Sequence, residues 1–297
     1  GEQLGLRCFE RDAVYNRVTS ALKFSARASS VDVSMFRDFG LPESLTGFIR
    51  QAEFSGNGAT RQPNIQGNAT VENLSFYGEV FPQARVNLSS VESKLNVRLD
   101  TGRNLTLNAQ IDTAVAGYPF TAQASFARYP LESIGGLAEG IIVATGNASL
   151  SGILTDRARL RGNGRIDSAE VRVQQTPLRT TNPFTFDFDA ERLAVTGVTL
   201  SGQATEVNLA GTTGLVQRAP LNLDVSGRLD LGLLSAAYPD WSSTGAVNVE
   251  GRIGGTVQDP DLRGLAHLAN ASLGRRGLFT SLSNLNGDFF FDQNRVT

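Results

Sequence analysis

The stretch LNLDVSGRLDLGL, beginning at Leu221, sets Leu221, Leu223, Val225, Leu229, Leu231 and Leu233 against Asn222, Asp224, Ser226, Arg228 and Asp230. Successive side chains of a strand point to opposite faces, so this run has one apolar face and one wet face. NLTLNAQIDTAV repeats the pattern, with Leu105, Leu107, Ala109, Ile111 and Val115 opposite Asn104, Thr106, Asn108, Gln110 and Asp112. Leu95, Val97 and Leu99 form a shorter run, as do Phe184, Phe186 and Phe188. The periodicity predicts an all-β fold with minor short helices, built on an antiparallel sheet whose two faces meet different surroundings. A dry sandwich core and an open apolar surface give the same alternation, and both stay open at this point.

A longer period lies above this one. Thr-Gly occurs at Thr46-Gly47, Thr145-Gly146 and Thr244-Gly245, at a constant interval of 99 residues. Each copy follows a helix-like segment: SMFRDFGLPESL, PLESIGGLAEGIIVA and LGLLSAAYPDWSS. Each precedes a strand-like phrase: NIQGNATVENLSF, RLRGNGRIDSAEV or DLRGLAHLANASL. FDFDAERLAVT from Phe186 then returns as FFFDQNRVT from Phe289, and ALKFSARASSVDV takes the place before the first copy that LNLDVSGRLDL takes before the third. A recurrence of this kind marks a modular array. The expected organisation is the tail of a preceding repeat at 1–32, repeats at 33–131 and 132–230, and a truncated repeat at 231–297, with about six strands in each. The chain reads as a piece of something longer.

Several chemistries find no support in the residues. A net charge of -2 without a Lys/Arg cluster gives no footprint for nucleic acid. Cys8 and His267 are the sole cysteine and histidine, so neither a disulfide nor a usual zinc site is expected, and no cofactor. His267, within LAHLAN, reads as structural. Asp187 with Asp189 reads as solvated charge opposite the phenylalanines, and Asp259 with Asp261 brackets Pro260 in a turn. Two Gly-x-Gly phrases, at Gly56 and Gly162, lack the third glycine of a dinucleotide loop and read as turns. The sequons at Asn68 and Asn147 fall within expected strands. No run of 18 apolar residues crosses a membrane, and no catalytic role is expected.

TGAVNVEGRIGGTVQDPDLRGLAHLANASL, then LSNLNGDFFFDQNRVT, with LGLLSAAYPDWSSTG ahead of them, resembles the TamB family of the AsmA-like superfamily in phrase order and spacing. The resemblance implies a long sheet curled along its length into an open groove with an apolar interior. It implies a periplasmic segment of an inner-membrane-anchored envelope protein of a Gram-negative bacterium, with the anchor outside this stretch. It further implies phospholipid acyl chains as cargo and an Omp85-class outer-membrane partner reached through a C-terminal part not present here. The expected groove lining is Leu95, Val97, Leu99, Leu105, Leu107, Ile111, Phe184, Phe186, Phe188, Leu221, Leu223, Val225, Leu229, Leu231, Val247 and Val249. Two other readings are an assembly factor for outer-membrane β-barrel proteins that adds strands at a sheet edge, and an extracellular polysaccharide-binding solenoid. Solenoid coils repeat every 20 to 30 residues or so, which the interval of 99 does not match.

Overall fold

The fold was established from a computed structural model, which describes residues 10–16, 21–35, 46–59, 62–76, 79–102, 104–130, 140–173, 176–202, 204–215, 219–232, 235, 240–256, 258–275, 281–292 and 295–296. The chain is all-β and antiparallel, as the alternation requires. It divides into two compact units, one comprising 1–129 with 149–157 and the other 130–148 with 158–297. Of the three helix-like segments, 34–35 falls in a single helical turn at 33–35 and Gly232 and Ser235 are helical, but 140–144 and 241–243 are strand, the former because the β-branched run Ile141, Ile142 and Val143 favours it; most of the remainder lies outside the described residues. Cys8 and Leu233 also lie outside them.

The first unit is a meander of β1 (Glu10–Asn16), β2 (Ala21–Asp32), β3 (Thr46–Ala59), β4 (Gln62–Phe76), β5 (Glu79–Val91), β6 (Lys94–Asp100), β7 (Leu105–Asp112) and β8 (Pro119–Pro130). Each strand pairs with the next, from β1–β2 through β7–β8. The second unit takes up β9 (Gly140–Ile153), β10 (Asp156–Val173), β11 (Thr176–Thr180), β12 (Phe184–Asp189), β13 (Arg192–Gly202), β14 (Thr205–Gly214), β15 (Asn222–Asp230), β16 (Trp241–Gly255), β17 (Pro260–Arg275), β18 (Leu282–Asp292) and β19 (Arg295–Val296). The tip of the β9–β10 hairpin groups with the first unit, where Leu154 and Thr155 donate backbone hydrogen bonds to Tyr118 and Gly117. β11 and β12 both pair with β10 and with β13, so they are one strand broken at 181–183. Counting that pair once, six strands separate successive Thr-Gly positions in both intervals.

Thr-Gly sits at or near the start of β3, β9 and β16, each the first strand of a long hairpin. The glycine is there because the partner backbone comes too close for a side chain. A Cβ on Gly47 would lie 3.1 Å from the Leu74 Cα, one on Gly245 would lie 2.7 Å from the Ala271 Cα, and one on Gly146 would overlap the Arg165 carbonyl beside Ile166. Leu74, Ile166 and Ala271 are all buried.

A second device recurs along the same strand ends, called here the Thr-Gly rim. Ala28, Val71, Phe126, Val195 and Leu268 are each followed, three positions on, by an apolar residue instead of after the usual two. The intervening residue in the left-handed region is Ser30 (φ 58°), Asn73 (φ 50°), Arg128 (φ 49°), Gly197 (φ 59°) and Asn270 (φ 49°) respectively. At Asn73, Gly197 and Asn270 the register shifts by one, the mark of a bulge that inserts a residue and resets which side chain faces inward, whereas β2 keeps one register with β3 across Ser30. All five left-handed residues are exposed, and the residues that follow them, Val31, Leu74, Tyr129, Val198 and Ala271, are all buried.

The bulges concentrate burial at this rim. In the first unit the Phe81 and Tyr129 rings stack at 6.4 Å between centroids, although β5 and β8 lie three strands apart in the ladder. A flat sheet would hold them roughly 14 Å apart, so β5 and β8 close toward each other beyond the end of the short β6–β7 hairpin. Thr101, buried in that closure, donates its hydroxyl to the Leu105 carbonyl at 3.2 Å. In the second unit the buried hydroxyl of Thr205 accepts from the Asp230 amide, and Ser243 bonds through its amide and hydroxyl to Ser235 and Leu231. Every buried hydroxyl residue of the described part thus sits at the rim with a partner, as burial demands.

Candidate functional site

The register of the strands carries the alternation of single runs into rows that cross whole sheets. In the first unit Ala26, Phe54, Gly67, Leu88, Val97, Ala109 and Ala122 lie opposite one another in sequence from β2 to β8. The next row on the same face is Ala28, Ala52, Ala69, Val86, Leu99, Leu107 and Ala124. The row between them belongs to the other face and is polar throughout: Arg27, Glu53, Asn68, Asn87, Arg98, Asn108 and Gln123. In the second unit Gly164, Phe186, Val195, Gly211, Leu223, Ile253 and Leu262 form an equivalent row from β10 to β17. Seven strands at the usual spacing make each row about 29 Å long.

Of the sixteen expected lining residues, six fall in the first unit and ten in the second. Leu95 faces Ile111, Leu99 faces Leu107, and Leu105 faces Phe126. Leu229 faces Val247, Val249 faces Gly227, and Val225 lies between Leu209 and Gly251. Phe184, Phe186 and Phe188 lie opposite Ile166, Gly164 and Gly162. Leu221 and Leu231 flank β15, held by amide bonds to the Gly255 and Gly245 carbonyls. Val247 alone among the sixteen is buried, at the Thr-Gly rim; the other fifteen are half-buried. Residues of a closed sandwich core would be largely hidden, so the face away from the rim stands partly open to solvent.

The two Gly-x-Gly phrases are not turns. Gly56 to Gly58 lies inside β3 and Gly162 to Gly164 inside β10. Their glycines face phenylalanines on the neighbouring strand: Gly56 opposite Phe24, Gly164 opposite Phe186, and likewise Gly67 opposite Phe54. A Cβ on any of the three glycines would overlap the ring. The rings lie down over the glycine backbone, and Phe186 stacks on Phe188 at 6.2 Å between centroids.

The wet face carries exposed ion pairs: Arg27–Glu53 at 3.3 Å, Arg50–Glu72 at 2.8 Å and Arg252–Asp224 at 2.8 Å. Hydrogen bonds from Arg179 and then Arg172 hold the Glu170 carboxyl below its ordinary range. Asp189 is lowered by the backbone amides of Glu191 and Arg192, which it caps in the turn after β12, so its role is structural. Asp187 is exposed on the wet face. Asp259 closes the turn before β17 through bonds with Thr256, as its place beside Pro260 suggested, and Asp261 pairs with Arg263 at 3.0 Å. His267 is exposed and bonds through Nδ1 to Asp288, its cross-strand partner, at 2.6 Å. Asn68 and Asn147 lie within β4 and β9.

Among the described residues no cluster of three His, Cys, Asp or Glu could hold a metal ion, and no helix is long and apolar enough to cross a membrane. The assembly of geometry is an extended apolar surface rather than a convergent set of reactive groups. The bulges and the glycine-seated rings were not anticipated; the signals for them are the apolar pairs spaced by three with Asn, Ser or Gly between, as in VENL and LANA, and the match of Gly and Phe in neighbouring phrases. No known protein family, curated protein or solved structure matches this chain.

Proposed function

We propose that this chain is a noncatalytic segment of a bridge that conducts phospholipid between the inner and outer membranes of a Gram-negative envelope, along an apolar groove formed by its sheet. The observation that carries the reading is the pair of properties found together on one face: apolar rows that run unbroken across seven strands, and large side chains in those rows, among them Leu88, Val97, Leu107, Phe186 and Leu223, that remain half-buried. Each methylene moved through water costs about 0.8 kcal/mol, so a chain of about 16 carbons meets a barrier on the order of 12 kcal/mol. Rows without a hydrogen-bonding group remove most of that cost and offer no polar contact on which a lipid would lodge. The polar rows on the opposite face keep the segment in water. In this reading the protein works in the periplasm, its inner-membrane anchor and any contact with an Omp85-class partner lying outside the segment.

The test is photo-crosslinking in cells that carry the full-length protein. A reactive side chain at Leu107 or Leu223 is expected to capture phospholipid, whereas one at the adjacent Asn108 or Asn222 is not. Equal capture at the four positions sinks the lipid reading. Capture of unfolded barrel proteins at strand edges, with no lipid at Leu107 or Leu223, replaces it with the assembly-factor reading.

A further inference from the structure

We propose that the glycines beneath the phenylalanines set the height of the apolar floor, and so decide whether an acyl chain can cross those strands. The inference rests on the lipid-conducting reading above and assigns to particular residues the control of passage. Its basis is the Gly-x-Gly phrases, which supply neither a turn nor a phosphate loop. Five times in the described residues a phenylalanine has a glycine directly opposite, and three of these are ring-over-glycine pairs: Phe24 with Gly56, Phe54 with Gly67, and Phe186 with Gly164. In each pair the ring occupies the volume that a side chain on the glycine would fill.

Aromatic rings that cover a cross-strand glycine protect its backbone and add contact area, and this accounts for their presence in any sheet. On a face that a hydrocarbon chain must slide across they have another consequence. A ring lying flat over glycine adds little height, whereas a ring displaced from the glycine rotates to another staggered position and stands above the floor. Gly56, Gly67 and Gly164 each lie within or beside a cross-strand row: Gly67 in the row that contains Leu88 and Val97, Gly164 in the row that contains Val195 and Leu223. A raised ring at either point interrupts a row whose other members are Ala, Gly, Val, Leu, Ile or Phe.

Gly56 is the best place to test this. A new Cβ there meets the Phe24 ring but stays 3.1 Å from the nearest backbone atom, the Asn64 carbonyl, so the ring rather than the strand has to move. The purified 297-residue chain, with a photo-reactive residue at Ile65, is mixed with vesicles of palmitoyl-oleoyl phosphatidylcholine, irradiated, and its adduct measured by mass spectrometry. Ile65 lies directly opposite Gly56 on the next strand. Gly56→Val is expected to lower the adduct roughly tenfold, the change in occupancy that losing about two buried methylenes would cause. Gly56→Val combined with Phe24→Ala removes the raised ring and restores the adduct. Gly254→Ala, at a glycine whose nearest neighbour stands 3.9 Å away, leaves it unchanged.

Cooperative thermal unfolding of each variant shows that it is folded. Should Gly56→Val not fold, the same comparison is made with Gly67→Ala and Phe54→Ala, read at Leu88. Equal adduct in the parent and the glycine variant overturns this inference alone, as does a folded double variant that fails to recover. Absence of adduct in the parent overturns the lipid-conducting reading and this inference with it.

Discussion

The Thr-Gly rim and the strand halves away from it are made from the same kinds of residue and end up in different surroundings. At the rim, left-handed residues at Ser30, Asn73, Arg128, Gly197 and Asn270 turn the following residue inward, and Val31, Leu74, Tyr129, Val198 and Ala271 are buried. Away from it, strict alternation continues, and residues as apolar as Leu107, Val97, Leu223 and Phe186 stay half exposed. Hydrophobicity therefore does not decide burial in this protein. A local break in strand regularity is one feature that does, because it lets neighbouring strands close over a side chain that a regular pleat would leave on an open face, although Ala84 and Ala122 are buried without one.

The contrast is broken most directly by truncating large side chains on both sides of it. Phe81→Ala or Tyr129→Ala removes half of a buried stack and is expected to cost about 3 to 5 kcal/mol, whereas Leu107→Ala at a half-exposed site costs about 1 kcal/mol. Urea unfolding of the three variants measures the difference, and equal losses would mean that the open half contributes as much packing as the rim. Next in size is the close approach at the rim. Gly245→Ala places a Cβ 2.7 Å from the Ala271 Cα at a backbone φ of 103°, and its expected cost is about 2 kcal/mol or more. Gly254→Ala, with open space around it, stays within about 0.5 kcal/mol of the parent.

Smaller again is the bulge residue itself. Asn73 holds a φ of 50°, which asparagine tolerates better than alanine and glycine better than either. Asn73→Ala is expected to cost about 1 kcal/mol and Asn73→Gly to be close to neutral, judged by thermal unfolding. A reversed order would show that the asparagine side chain, not its backbone freedom, maintains the bulge.

The smallest expected effect belongs to the wet face. The Glu170 carboxyl is held low by hydrogen bonds from Arg179 and Arg172. A carboxyl whose folded value lies below its unfolded one favours the fold at pH above the unfolded value, and this contribution is lost as pH falls through the folded value. Arg179→Ala is expected to move the Glu170 titration, followed by NMR, upward toward the ordinary range, with little change in the unfolding midpoint at neutral pH because the pair is solvated. An unmoved titration would show that Arg172 alone is responsible.

The regular parts of the fold were legible because one number, the period of two, carries both the strand and its face. LNLDVSGRLDL named the apolar face of β15 correctly, and Leu95, Val97 and Leu99 fall in register with Ile111, Ala109 and Leu107 as a shared face requires. The recurrence of Thr-Gly likewise located the first strand of each long hairpin. What alternation cannot express is a change of phase: in VENLSF the step from Val71 to Leu74 looks like a lapse in the pattern, yet it marks a bulge between the two most enclosed positions of that strand. Gly-x-Gly reads as a turn when glycine is judged by its conformational freedom alone. At Gly56 and Gly164 it is selected instead for its missing side chain, and the reason lies on another strand, in Phe24 and Phe186.

A bulge also fixes which changes of length a strand can absorb. Between two regular pleats, losing one residue would send every later side chain to the opposite face. At Asn73 the extra residue already offsets the phase, so its removal would leave Leu74 two positions after Val71 and still on the apolar face, with Val71 and everything before it in place. Insertions and deletions in the strands of such a sheet are therefore tolerated in pairs, and single ones only where they create or erase a bulge. Over long descent the count of residues between bulges would hold steadier than the identity of any apolar side chain in between.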